Sequence, residues 1–313
     1  MRPHRITRRA FCRRAGSGVA AAALGGAAGA DDRKPFRLRY VLASSLYGRM
    51  TLETILPEVR KTGAEHVDIW PERHANQREQ IEAMSHDAFA ALLRRHGVKL
   101  GILTHYDLGP FRLREEMRVA GKLGGAMIVC GAAGPKGLKG DALKAAVRQF
   151  AEKLRPHVDA AEEAGVTLAI ENHANSLIES PESLRRFAEA ARSKRLGVAL
   201  APYHLEQDPA MIARLIADLG EKLVHFYAWQ HGMGCHKKLP KAQELLQLPG
   251  RGTLDFTPIL NALRKIRYTG WTEVFMHPVP RGVAILPTAA EVTAEVVRAR
   301  RYVESLLAKE PGA

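Results

Sequence analysis

Residues 166–171 read Val-Thr-Leu-Ala-Ile-Glu, and residues 196–200 read Leu-Gly-Val-Ala-Leu. Between them runs a longer amphipathic stretch, opened by Ser180-Pro181-Glu182-Ser183. A hydroxyl residue followed at once by proline is how a helix begins, because the hydroxyl accepts an orphan N–H and proline has none to lose. A strand with one wet face alternates apolar and polar residues, whereas one covered on both faces is apolar almost throughout. The two short runs are of the second kind. Buried strand, helix, buried strand is the βαβ unit, and its strands lie parallel.

The same unit recurs along the chain. Strand-like runs fall at 38–44, 66–70, 99–104, 126–130, 166–171, 196–200, 223–228 and 271–276. Helical patterns lie at 53–61, 87–95, 112–122, 141–163, 210–219, 255–267 and 289–309, besides the one opened by Ser180. Several end at glycine, as Gly63, Gly97, Gly165 and Gly220 show. Pro156 predicts a kink in the fourth helix, and 230–253 is the one long irregular stretch. Eight βα units with short returns predict an α/β fold, a (β/α)8 TIM barrel in a single domain over 31–313; an open doubly wound sheet is the alternative.

The first thirty residues are different. Arg2, Arg5, Arg8, Arg9, Arg13 and Arg14 precede a soft small-residue run that closes on Ala28-Gly29-Ala30. This is the layout of a cleaved export signal, and Thr7-Arg8-Arg9-Ala10-Phe11 resembles the twin-arginine type. The expectation is an exported, periplasmic or extracytoplasmic protein with no stable membrane span after cleavage at about residue 30. The chain carries 47 Lys+Arg and 33 Asp+Glu, so losing six arginines lowers the net charge from +14 to 41 − 33 = +8. No basic stripe interleaved with aromatics appears, which argues against nucleic acid and leaves an acidic small substrate reasonable. Cys130 and Cys235, the cysteines left after residue 30, do not make a disulfide framework. Gly131–Gly140 lacks the Gly-Lys-Ser/Thr ending of a phosphate loop, so no nucleotide cofactor is expected.

In such a barrel the chemistry sits where strands end. Those positions hold Trp70 and Glu72, His105, Glu171 and His173, His204, Tyr227 and Gln230, and Glu273 and His277. Glu171 follows Leu168-Ala169-Ile170, and a carboxylate at the end of an apolar strand must be paired, protonated or metal-bound. His173, two residues on, points the same way along an extended chain. Glu273 is embedded similarly. Carboxylates and imidazoles converging on one space suit proton transfer beside a carbonyl or a divalent ion.

The runs LAIENH (168–173), VALAPYH (198–204) and LPGRGTLDFTPIL (248–260), with Tyr-Thr-Gly-Trp at 268–271, resemble the sugar phosphate isomerase/epimerase group of the xylose-isomerase-like barrels, relatives of endonuclease IV. The resemblance implies a divalent metal held on strands five to eight and proton movement at a sugar carbon next to a carbonyl. It carries the strand-five ligand to Glu171, but Ala201 stands where an aspartate is implied. It also puts Tyr227 in the place of a histidine and Phe275 in that of a glutamate. His105 matches a strand-three histidine of some members.

Two accounts of the site follow. A rearranged metal site for Zn or Mn would draw on Glu171, His204 and His105. A metal-free site would use Glu171 and Glu273 as acid and base or to grip sugar hydroxyls, with His173 the further catalytic candidate. In both, Trp70, Glu72, Tyr227, Gln230, Arg251 and His277 would bind substrate, a small carbohydrate whose anionic group Arg251 would meet. The reaction class is isomerase, epimerase or related lyase. The alternative is a non-catalytic sugar-binding barrel that has lost the family's metal.

Overall fold

The computed structural model describes residues 35–309; the expected signal at 1–30 lies outside them. The chain alternates as its pattern predicts: β1 (Arg39–Ala43), α1 (Leu52–Val59), β2 (His66–Ile69), α2 (Gln77–Met84) and α3 (His86–His96), β3 (Lys99–Thr104), α4 (Arg114–Lys122), β4 (Met127–Gly131), α5 (Gly140–Glu163), β5 (Thr167–Glu171), α6 (Pro181–Ala190), β6 (Leu196–Leu200), α7 (Pro209–Leu219), β7 (Leu223–Ala228), the short α8 (Lys241–Glu244), α9 (Phe256–Lys265), β8 (Trp271–Val274) and α10 (Ala289–Leu307). The strands pair in sequence order, all parallel, and β8 closes on β1 through Tyr40–Thr272 and Val41–Glu273. The fold is a closed (β/α)8 barrel.

The helix signals act as read. Ser180 caps α6 by accepting from the Ser183 amide, and Ser183 answers from its own side chain in a capping box. Asp208 accepts from the amides of Ala210 and Met211 at the start of α7. Gly97, in the left-handed conformation, closes α3.

Three details differ from the sequence expectation. Helix α2 was not foreseen, because polar contacts rather than an apolar stripe hold its start. Gln77 Nε2 donates to the carbonyls of Gly48 and Met50, and Arg78 forks onto Glu116 of α4. The stretch 230–253 contains α8 and a following turn of 3-10 helix at Leu245–Gln247. Strand β8 stops at Val274, although the Phe275 amide still reaches the Ala228 carbonyl at 3.5 Å. Helix α5 runs continuously from Gly140 to Glu163 with Pro156 inside it.

Side chains inside the ring set up the site. Thr104 at the end of β3 donates to Asp68 of β2, and Tyr227 of β7 lies in register with Glu273 of β8. Alternation then turns His105, next after Thr104, away from the interior. Above Glu273 by one alternation comes Phe275, and above Asp68 comes Trp70.

Candidate active site

Glu171 ends β5 with its side chain 4% exposed, and its Oε1 lies 3.6 Å from Nε2 of His204. His204 is placed by a turn of 3-10 helix, Pro202–His204, directly after β6. Burial takes its imidazole down to about 2, helped by the surrounding His173, His236, His231 and Arg281, so the ring is neutral across the working range. Burial also raises the Glu171 carboxyl well above the ordinary carboxylate range; the Tyr227 hydroxyl acts in the opposite sense and Asp68 adds to the rise. The pair is therefore a protonatable carboxyl beside a neutral imidazole, a weaker association than an ion pair. His173 stands at the surface with its ring 4.0 Å from that of His204, and its Nδ1 is 2.8 Å from the Ala174 carbonyl oxygen.

Aromatic rings make the walls. Trp70 is buried and stacks on Phe275 at 5.1 Å and 20°. Tyr203 stacks on Trp229 at 4.0 Å and 11°. Tyr227 is fully buried, 5.2 Å from Phe275. Half-buried His277 lies against His74 at 4.8 Å and against Trp229 at 5.3 Å. Burial lowers both imidazoles, His74 to about 4 and His277 well below its usual value, with Arg281 pushing the same way.

The remaining sequence candidates lie elsewhere. His105 is surrounded by Glu116, Glu79 and Arg78 on the helix side of β3 and is not brought to Glu171. Arg251 forks onto Glu295 of α10 at 2.8 and 2.7 Å, so it ties a loop to a helix. Gln230 is buried and stitches the loop after β7, accepting from the Leu254 amide and donating to the Leu248 carbonyl, both at 2.8 Å. Glu72 is exposed at the rim and already paired with Arg49. Glu273 is fully buried, with its Oε2 2.9 Å from Nε2 of His225 and Phe275 one alternation above it.

Sequence reading passed over Asp68, His74, Tyr106 and Arg281. Asp68 carried the same signal as Glu171, a carboxylate in an apolar strand (His-Val-Asp-Ile). His74 carried no local signal, and Tyr106 only its place at the end of strand three; they join the site through contacts with Trp70 at 5.4 and 5.7 Å. Arg281 follows β8, and its Nη2 points to Cys235 Sγ at 3.1 Å, beside the Tyr203 hydroxyl.

The family description that matches residues 56–297 is the xylose isomerase-like TIM barrel. The chain belongs to that family. No curated protein sequence matches it significantly. Among solved structures, this xylose isomerase-like barrel is similar to the IolI protein with a bound zinc atom (17% identity, 86% of this chain and 98% of that one, TM-score 0.67). It is also similar to D-psicose 3-epimerase with D-tagatose from Clostridium cellulolyticum H10 (17%, 86% and 99%, 0.64) and to 3-keto-D-glucoside 4-epimerase YcjR from E. coli (16%, 85% and 100%, 0.61). At these identities the likeness establishes the fold.

A catalytic zinc needs three protein ligands and an open position. At the strand ends of this family member, Glu171 and His204 supply two donors, and the neighbouring positions are Ala201, Tyr227 and Phe275. Among the described residues no three His, Cys, Asp or Glu side chains stand together to hold an ion. The strand ends thus offer a divalent ion two donors, Glu171 and His204.

Proposed function

We propose that this barrel is a carbohydrate isomerase or epimerase, or a related lyase, whose base is Glu171. A general base works best with a pKa near the operating pH, and burial moves Glu171 in that direction. The buried Glu171 carboxyl set 3.6 Å from the His204 imidazole at the strand ends carries the reading, and family membership supports it. His204 at 3.6 Å would orient the carboxyl and relay the proton toward His173 at the mouth. Trp70 and Trp229 are each 1% exposed, so the C–H face of a sugar ring would reach their apolar faces only after neighbouring rings moved aside. An anionic group on the substrate would meet Arg281, since Arg251 is held by Glu295.

The step is simple in outline. The ionised Glu171 accepts a proton from the carbon next to the carbonyl and an enediolate forms. A proton then arrives at the opposite face of the same carbon, which inverts it, or at the neighbouring carbon while the hydroxyl proton passes to the former carbonyl oxygen, which moves the carbonyl. With Ala201, Tyr227 and Phe275 in place, no part of this is assigned to a metal.

The same three residues favour a second reading, a barrel that binds sugar without turning it over. One experiment separates the two. Full-length protein is incubated in heavy water with ketoses such as D-fructose, D-tagatose and their anionic counterparts, and deuterium uptake at carbon is read by mass spectrometry. The enzyme reading expects uptake in the parent that falls about 10²–10⁴-fold in Glu171→Gln, the span of general-base catalysis. Saturable sugar binding without uptake, equal in parent and variant, would replace it by the binding reading.

A further inference from the structure

Beneath the strand-end site lie ionisable side chains that the proposed reaction does not use. Asp68, His225 and Glu273 are all 0% exposed. Oδ2 of Asp68 accepts from the Trp70 indole N–H at 2.6 Å and from the Thr104 hydroxyl at 2.8 Å. Its Oδ1 receives no donor from the described residues, nor does either oxygen of Glu273 receive a well-directed one. The two carboxyls are within hydrogen-bonding reach of each other, and His225 Nε2 is 2.9 Å from Glu273 Oε2. The polar groups facing them are Trp70 just after β2, Thr104 on β3, Glu171 on β5, and His225 and Tyr227 on β7. None is a lysine or arginine.

Two ionised carboxylates so placed would sit uncompensated in a dry interior, and like charges this close cannot both persist. We propose that Asp68 and Glu273 share a proton between their facing oxygens and so form an acid pair under the floor of the site. One proton completes the accounting. The Nε2–H tautomer of His225 places its proton 2.9 Å, nitrogen to oxygen, from Oε2 of Glu273, Oε1–H of Glu273 donates to Oδ1 of Asp68, and Oδ2 of Asp68 keeps its two donors. So arranged, the row leads from His225 to Trp70, and the pair positions the Trp70 indole through its N–H. It also holds one negative charge fewer under Glu171, which makes that carboxyl easier to ionise; only this last consequence rests on Glu171 being the base.

Burial raises both carboxyls above the ordinary range, Asp68 to about 8 and Glu273 well above its usual value; Asp68 and Glu171 push Glu273 up further, whereas Thr104, Trp70 and the contact with Glu273 hold Asp68 down. The sign follows. A raised folded-state pKa gives stability that is complete below about pH 4 and is lost as pH climbs toward about 8. Each proton held only by the fold makes the unfolding equilibrium constant grow about tenfold per pH unit across that window.

The test uses the full chain and needs no substrate. Asn at 68 keeps the acceptor for Trp70 and Thr104 and turns an N–H toward Glu273, a permanent copy of the shared proton. Asp68→Asn should lose about one proton of slope and, at about pH 9, unfold with a constant at least about tenfold below the parent's. Glu273→Gln is the mirror variant if the first does not fold. Infrared difference spectra, recorded in a Glu171→Gln background so that Glu171 cannot contribute, should show a protonated-carboxyl band at neutral pH that Asp68→Asn shifts or removes. A neutral-pH spectrum without that band would sink the pair, and so would a variant that keeps the parent's slope. Failure of the sugar experiment leaves both readouts untouched.

Discussion

Phe275 is the side chain around which the site is arranged. Its ring lies 5.1 Å from Trp70, 5.0 Å from Trp229, 5.2 Å from Tyr227 and 4.8 Å from His277, at 1% exposure. Removing a buried ring loses both its transfer energy and the packing of whatever cannot collapse into the gap. Phe275→Ala should therefore cost about 3–5 kcal/mol in chemical denaturation. Trp70, still held by Asp68, cannot follow to fill the space. At this scale the sequence was half legible. Glu171 and His204 declared themselves by type and strand-end position, and the structure sets them 3.6 Å apart. Asp68 gave the same signal and was passed over. Arg251 and Gln230 lie in a loop whose inward and outward faces have no period to read, so their structural ties to Glu295 and to the 248–254 backbone could not be foreseen.

Elements were easier to read because their signals are local. Caps at Ser180 and Asp208 and stops at Gly97 and Gly63 are matters of single residues and their nearest amides. Helix α2 was hidden because its anchoring groups, Gln77 and Arg78, are polar and find their partners far along the chain. Gly197 in β6 shows how tightly strands are set. A Cβ there would come 2.6 Å from a methyl of Val224 and 2.9 Å from the Lys222 carbonyl, next to the point where the β6–β7 register shifts between Val198 and Ala199. Strand β7 could yield only by moving its backbone. Gly197→Ala should lower stability by about 1–3 kcal/mol, the usual cost of overpacking, measured as a drop in urea midpoint at constant slope.

The whole molecule was the most legible level, since eight buried strands with intervening helices leave few ways to fold. Its destination is a proposal resting on the first thirty residues. Replacing Arg8 and Arg9 together by lysine should keep the protein in the cytoplasm with its leader attached, whereas the parent should be recovered outside with an N-terminus near Asp31. Fractionation and N-terminal sequencing decide this, and equal export of both would end the twin-arginine assignment. Closure of the sheet has a consequence for such a journey. Because β8 pairs with β1, each strand has a neighbour on both sides, and the ring offers a passing chain no free margin on which to add a strand. A protein that crosses a membrane already folded meets crowds of other chains on both sides; this one would arrive with nothing for them to grow from.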